Sequence, residues 1–303
     1  MRVFVTGASG YIGSAVTAAL ARAGHEVLGL VRSPEKAGAI AGLEARPVVG
    51  TMADPASYRE AAASSRVIIH CAVEYSTTQW ELDRTTIDTC LAVAGESGQE
   101  RLFVYTSGAW VYGGTGEGMV DESSPLKPPA FIAPRVQHEK RVLDAGRGKV
   151  RTLVLRPGTL YGGRGGLTTA WFGGAVQDGA ARLVGDGSFR WAMVHVDDLA
   201  DAYLRAAESP WSGEVFNLTD RSRFTVLECA QAASRAAGAS GKVNVVPLAE
   251  AAKQLGPFAE CLALDQHVDS RKAVRMLGWQ PRHGGFVDGA ARYFAAWRAW
   301  AGR

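Results

Sequence analysis

Thr6-Gly7-Ala8-Ser9-Gly10-Tyr11-Ile12-Gly13 stands between a short apolar run, Val3–Thr6, and a stretch of helical character, Ser14 to Ala23. Its three glycines do different things. Gly7 permits a tight turn, Gly10 lets backbone N–H groups come close to a ligand, and Gly13 lets the helix pack closely on the strand. The positive end of the helix dipole lies at the same place, so the chemistry on offer is capture of a phosphate or pyrophosphate. Glycines also make empty turns, but here strand, turn and helix are all present within thirteen residues of the start.

The next apolar run, Glu26-Val27-Leu28-Gly29-Leu30-Val31, ends in Arg32-Ser33. Where a dinucleotide sits on such a turn, a carboxylate at the end of this second strand would bind the ribose hydroxyls of NAD. Val31 stands at that position and Arg32 follows it. A guanidinium binds a 2′-phosphate through paired charge-assisted bonds, whereas a carboxylate repels it, so NADP(H) is expected in preference to NAD, with Ser33 and Lys36 assisting. The alternative is an ordinary solvated arginine at a strand end.

The elements that must position these groups follow in regular alternation. Pro47–Gly50, Val67–Ala72, Leu102–Thr106 and Val150–Leu155 read as strands; Pro55–Ala63, Glu81–Ala94 and Pro134–Ala145 read as helices, with the Pro-rich Ser123–Pro129 between. Short apolar runs alternating with helix-length segments predict an α/β fold, a doubly wound parallel sheet with helices on both faces. Beyond Arg156 the pattern loosens into Gly-rich loops, a strand-like Met193–Val196, a helix from Asp197, the run Glu214–Leu218 and an amphipathic helix, Phe286–Trp300. Two lobes are expected, 1–156 binding the dinucleotide and 157–303 mainly shaping a substrate site, with later segments returning to the first.

Thirty-three basic and 30 acidic residues give a net charge of +3 with no basic run, so neither nucleic acid nor a membrane surface is an expected partner. Four scattered cysteines, with no CxxC and no histidine cluster at ligand spacing, predict neither disulfides nor a metal. No apolar segment approaches the roughly 20 residues that span a bilayer, and a cytoplasmic location is expected. Glycine is abundant, 36 of 303 residues, and gathers at the ends of apolar runs, where backbone must approach a ligand.

The opening Thr-Gly-x-x-Gly-x-x-Gly resembles that of the extended short-chain dehydrogenase/reductase family. Three further motifs follow in that family's order: Val104-Tyr105-Thr106-Ser107 running into Val111-Tyr112-Gly113, Leu155-Arg156-Pro157 before Leu160-Tyr161-Gly162, and Val194-His195-Val196-Asp197-Asp198-Leu199-Ala200. The resemblance covers nearly the whole chain. It implies a Rossmann lobe and a smaller C-terminal substrate lobe. Implied cofactor contacts are Gly7, Ser9, Gly10, Tyr11, Ile12, Gly13, Arg32, Ser33, Thr51, Met52, Cys71, Ala72, Val73, Thr106, Pro157 and Thr159. It also implies a homodimer through the helices near 81–94 and 134–145.

That family's proton transfer uses a Ser/Thr, a Tyr and a Lys. Laid on this chain the three positions fall on Gly108, Ile132 and Val136, so the resemblance is to the atypical branch, in which these residues are lost or relocated. The candidates to act instead are Ser107, Tyr112, Tyr161 and Arg135. For each tyrosine the alternative is core packing, and for Arg135 it is a structural ion pair, with Glu139 on the same helix face. His195 reads as architecture beside a helix start, and His70 as a residue satisfying backbone near the cofactor.

The arginine that nucleotide-sugar members place on a diphosphate falls on Trp191, with Arg190 adjacent. Trp110, Phe131, Trp171, Phe172, Phe189 and Trp191 lie in or near the expected pocket loops and fit an apolar or aromatic substrate better than a sugar diphosphate. The reading is an NADP(H)-dependent oxidoreductase of a small hydrophobic or aromatic carbonyl compound. A non-catalytic NADP(H) sensor and a nucleotide-sugar epimerase or dehydratase are the alternatives.

Overall fold

The apolar runs of the first half become strands, and the segments between them helices: β1 (Arg2–Thr6), α1 (Tyr11–Arg22), β2 (Glu26–Val31), α2 (Pro34–Ala41), β3 (Arg46–Val49), α3 (Ala56–Ala63), β4 (Val67–His70), α4 (Gln79–Glu96), β5 (Arg101–Thr106), α5 (Ala133–Asp144) and β6 (Val150–Pro157). The second half adds β7 (Thr159–Tyr161), α6 (Thr169–Asp178), β8 (Ala181–Val184), β9 (Met193–His195), α7 (Val196–Glu208), β10 (Glu214–Leu218), α8 (Val226–Ala236), β11 (Val243–Val246), α9 (Leu248–Leu255), α10 (Phe258–Leu262), α11 (Arg271–Leu277) and α12 (Phe286–Ala301). The computed structural model describes residues 1–96 and 98–302; Ser97 and Arg303, the last residue of the expected second lobe, lie outside the described residues.

Seven strands form one parallel sheet in the order β10-β6-β5-β4-β1-β2-β3. This is the doubly wound Rossmann arrangement expected from the alternation. Successive side chains of a strand point to opposite faces. Val3, Val5, Val67 and Ile69 accordingly pack in one core cluster with Val16 and Leu20 of α1 and Leu199 and Tyr203 of α7. Phe4, Ile68, Phe103 and Tyr105 pack in the other, with Tyr58, Ile87 and Val142. Covered on both faces, the central strands need no polar alternation, which explains their unbroken apolar runs.

The sheet's order reverses between β1 and β4, whose carboxyl ends lie side by side, Thr6 opposite His70. A crevice opens at such a switch point. The strand expected over Val67–Ala72 stops at His70, so Cys71 and Ala72 leave the sheet and border that crevice. α7 and β10 return from the second half to pack on α1 and to extend the sheet beside β6.

The rest of the second half has an aromatic core of its own: Trp171 stacks on Trp191 at 5.3 Å, with Phe172, Phe286 and Tyr293 around them. The strand-like Met193–Val196 ends at His195, because Val196 already opens α7 and the His195 ring accepts the Asp197 N–H as its cap. α2, α6 and α8 to α11 are helices beyond those expected, although the capping box of Thr225 and Glu228 marks the start of α8.

Candidate active site

A cavity of about 630 Å³ opens at the switch point and runs from the β2–α2 connection to the start of α5. Gly7, Ser9, Gly10, Tyr11, Ile12 and Gly13 line it together. The turn has no room for side chains: a Cβ on Gly7 would stand 2.7 Å from the Ala72 Cα, and one on Gly13 would stand 2.1 Å from the Gly7 carbonyl oxygen. Gly7 also has φ +66°, a conformation that favours glycine. Gly10 caps α1 without any side-chain hydrogen bond, and the N–H groups of Tyr11 and Ile12 meet no acceptor among the described residues. The start of α1 therefore presents unpaired N–H donors and the positive end of its dipole to the cavity, the features that suit an anion.

At the β2–α2 end the cavity is lined by Arg32, Lys36, Thr51 and Met52. Arg32 and Lys36 are exposed and form no ion pair among the described residues. Ser33, also expected to contact the cofactor, is absent from this lining and stands at the N-cap of α2. Cys71, Ala72 and Val73 line the floor beyond β4, and Thr106, Pro157 and Thr159 the wall beyond β5 and β6. Burial, against weaker help from Thr106 and Tyr203, pushes the Cys71 thiol up to about 11, so it stays protonated. The Thr159 hydroxyl is buried without a partner. Backbone donors at the turn, two unpaired cations at one end and an unpartnered hydroxyl leave room along this cavity for a dinucleotide.

Gly108 and Ile132 both line the cavity, so two of the three positions emptied of catalytic groups do face it; Val136 packs against the cluster of Val111, Tyr112 and Ile132 instead. Of the substitutes, Ser107 and Arg135 line the cavity, whereas Tyr112 and Tyr161 do not. The Tyr112 hydroxyl donates to Asn217 at 2.9 Å and accepts from Arg156 at 2.7 Å. Tyr161 donates to Asp220 at 2.8 Å from inside the aromatic core. Burial pushes both phenols up, opposed by Arg156 at Tyr112 and reinforced by Asp220 at Tyr161. The expectation of a relocated tyrosine acid at either position is thereby corrected: both hydroxyls are enclosed and already engaged.

The expected Arg135–Glu139 pair is also replaced. Glu139 is held by Arg156, 2.5 Å from Nη2 and 2.9 Å from Nε, and accepts the Ser107 hydroxyl proton. Arg135 lies instead over the Trp80 ring, 5.2 Å from its centroid, and donates to the Thr106 carbonyl at 2.8 Å.

His70 sits behind the cavity, bridging Thr6 (2.6 Å) and Asp83 (2.9 Å). His195 stacks on His283 with centroids 3.5 Å apart and an interplanar angle of 11°. Together with Asp197 their potential ligand atoms lie within 4.8 Å of one another, and the His195 Nδ1 already accepts the Asp197 N–H at 3.1 Å. Trp110 and Phe131 line the cavity as expected. Trp171, Phe172 and Trp191 are buried in the second core, Phe189 packs against it, and Arg190 donates to the Arg223 carbonyl. Unread in the sequence were the cavity aromatics Tyr75, Trp80 and Phe258. Trp80 follows the β4 loop closely enough to have been inferred; nothing local marks Phe258.

The NAD dependent epimerase/dehydratase family matches residues 3–219. The chain belongs to this family. The resemblance to extended short-chain dehydrogenases is thus confirmed over more than two-thirds of the sequence. Among epimerase/dehydratase relatives, a 4-hydroxy-2-methyl-3-oxo-4-farnesyl-3,4-dihydroquinoline-1-oxide ketoreductase from Stigmatella aurantiaca is 31% identical, the match covering 92% of this chain and 87% of that one. A 3-diazoavenalumate denitrifying reductase from a Streptomyces species is 30% identical over 96% of this chain and 100% of that protein. The fold matches a dTDP-glucose 4,6-dehydratase from Streptomyces venezuelae, solved with NAD, at TM-score 0.84 and 23% identity, covering 100% and 98% of the two chains. Membership makes this epimerase/dehydratase-family chain a nicotinamide-dependent enzyme with an oxidoreductase role. No helix among its described residues is long and apolar enough to cross a membrane.

Proposed function

We propose that the chain is an NADP(H)-dependent reductase of a hydrophobic or aromatic carbonyl compound. The observation that carries the reading is the division of one cavity into a cationic end, Arg32 and Lys36, and an aromatic end, Trp80, Trp110, Phe131 and Phe258. The amides of the glycine turn would hold the pyrophosphate, and Arg32 with Lys36 the 2′-phosphate. Bound there, the nicotinamide supplies or accepts a hydride. The aromatic walls exclude water from the substrate's apolar body.

Carbonyl reduction also needs one proton at oxygen. Ile132 has none to give, and the Ser107 proton is directed at Glu139. Water entering at the open mouth, beside the exposed Val73 and Tyr75, supplies it. Two relatives named as reductases, one of them a ketoreductase of a dihydroquinoline oxide, support the class. The test is NADPH oxidation followed by absorbance with a panel of aromatic and alicyclic ketones. Turnover with aromatic ketones is expected. Tight NADPH binding with no turnover across the panel would overturn the reading.

A further inference from the structure

Arg135 is the third residue of α5 and lines the cavity. A cation is disfavoured in the first turn of a helix, where the positive end of the dipole already lies, unless an anion joins it. The guanidinium has five N–H donors. One serves the Thr106 carbonyl, and no acceptor meets the others among the described residues. The buried carboxylates whose charge it feels, Asp83 and Glu139, are committed elsewhere. Asp83 is held by His70, His138 and Tyr105, and Glu139 by Arg156 and Ser107. Glu74, a carboxylate of the cavity lining, forms no ion pair with it.

Around this spare cation the aromatic wall is continuous. Trp80 meets Phe131 edge-on at 6.1 Å, Phe131 meets Phe258 at 6.0 Å, and Phe258 meets Trp110 at 5.7 Å. A slot of rings beside a guanidinium with open donors suits a flat apolar body that ends in a planar anion. We infer that Arg135 anchors the carboxylate of an aromatic acid substrate, paired with its free N–H groups while the ring series holds the body. The inference rests on the reductase reading and deepens it by naming the substrate class.

The experiment is calorimetric titration of the full chain with trans-cinnamate and, separately, with the neutral isostere cinnamamide, each with and without saturating NADP⁺. Cinnamate is expected to bind at least ~10-fold more tightly, the worth of a charge-assisted pair. Arg135→Met should erase that preference, and Arg135→Lys should retain part of it. Equal affinity for the two probes, no measurable binding of either, or a preference that survives Arg135→Met would overturn the anchor. Failure of NADP⁺ to bind would strike the cofactor reading alone; the acid–amide comparison on the free protein still decides the anchor.

Discussion

Arg156, on β6, holds the carboxylate of Glu139 on α5 through two nitrogens, both side chains no more than 4% exposed. The arginine one turn earlier on the same helix, Arg135, takes no part in the pair. The choice follows from burial. Arg156 has no water to solvate it and also needs the Tyr112 hydroxyl, so its desolvation is offset only by a full carboxylate.

Replacing Glu139 by Gln should therefore cost far more than a surface pair would. It leaves a buried guanidinium without its counter-charge, a loss of about 3–5 kcal/mol. Urea denaturation measures it. A loss below ~1 kcal/mol, the range of exposed pairs, would show that Arg156 is solvated in some other way.

Gly13→Ala should abolish coenzyme capture. Its Cβ would stand 2.1 Å from the Gly7 carbonyl oxygen, which is backbone and cannot swing aside, so the turn must open. NADPH affinity is expected to fall at least ~100-fold, about 2.7 kcal/mol. The control is Gly173→Ala inside α6, where nothing lies within 4 Å of the added carbon. It should leave NADPH binding unchanged and stabilise the fold by up to about 1 kcal/mol. Equal NADPH affinity in the two variants would contradict capture by the turn.

Stability should decline with acid through His195. Burial, and then the adjacent His283, hold the imidazole down to about 4. An unfolded histidine takes up its proton near ~6.5. The unfolded state therefore binds the proton first, and this contribution is complete above ~6.5 and lost as pH falls from there toward 4. Thermal melts should show Tm dropping by several degrees between pH 7 and pH 5. His195→Asn keeps a cap acceptor for the Asp197 N–H without titrating, and should flatten that part of the profile. An unchanged slope in the variant would assign the acid loss to other groups.

What was legible in the sequence is what is decided locally. The glycine turn and Arg32 lie on one βαβ unit, and their lining of the cavity follows from spacing alone. The Asp83 carboxylate that gathers His70, His138 and Tyr105 is drawn from four separate elements, and no spacing foretells it. Tyr112 and Tyr161 each follow an apolar strand and precede glycine, which reads as a mouth position. Their orientations are set by Asn217 and Asp220, 105 and 59 residues further along the chain. The helix spacing of Arg135 and Glu139 was correct as geometry, yet a partner from β6 with a greater need of charge displaced the local one. Phe258 reaches the cavity from α10 only because the second half folds back over the first.

The central claim is that one end of this cavity recognises the phosphorylated ribose. Isothermal titration of the purified chain with NADPH and with NADH tests it most directly. NADPH should bind ~10–100-fold more tightly, and Arg32→Ala should remove most of that difference while leaving NADH affinity nearly unchanged. Tighter binding of NADH, or no binding of either coenzyme, would contradict it.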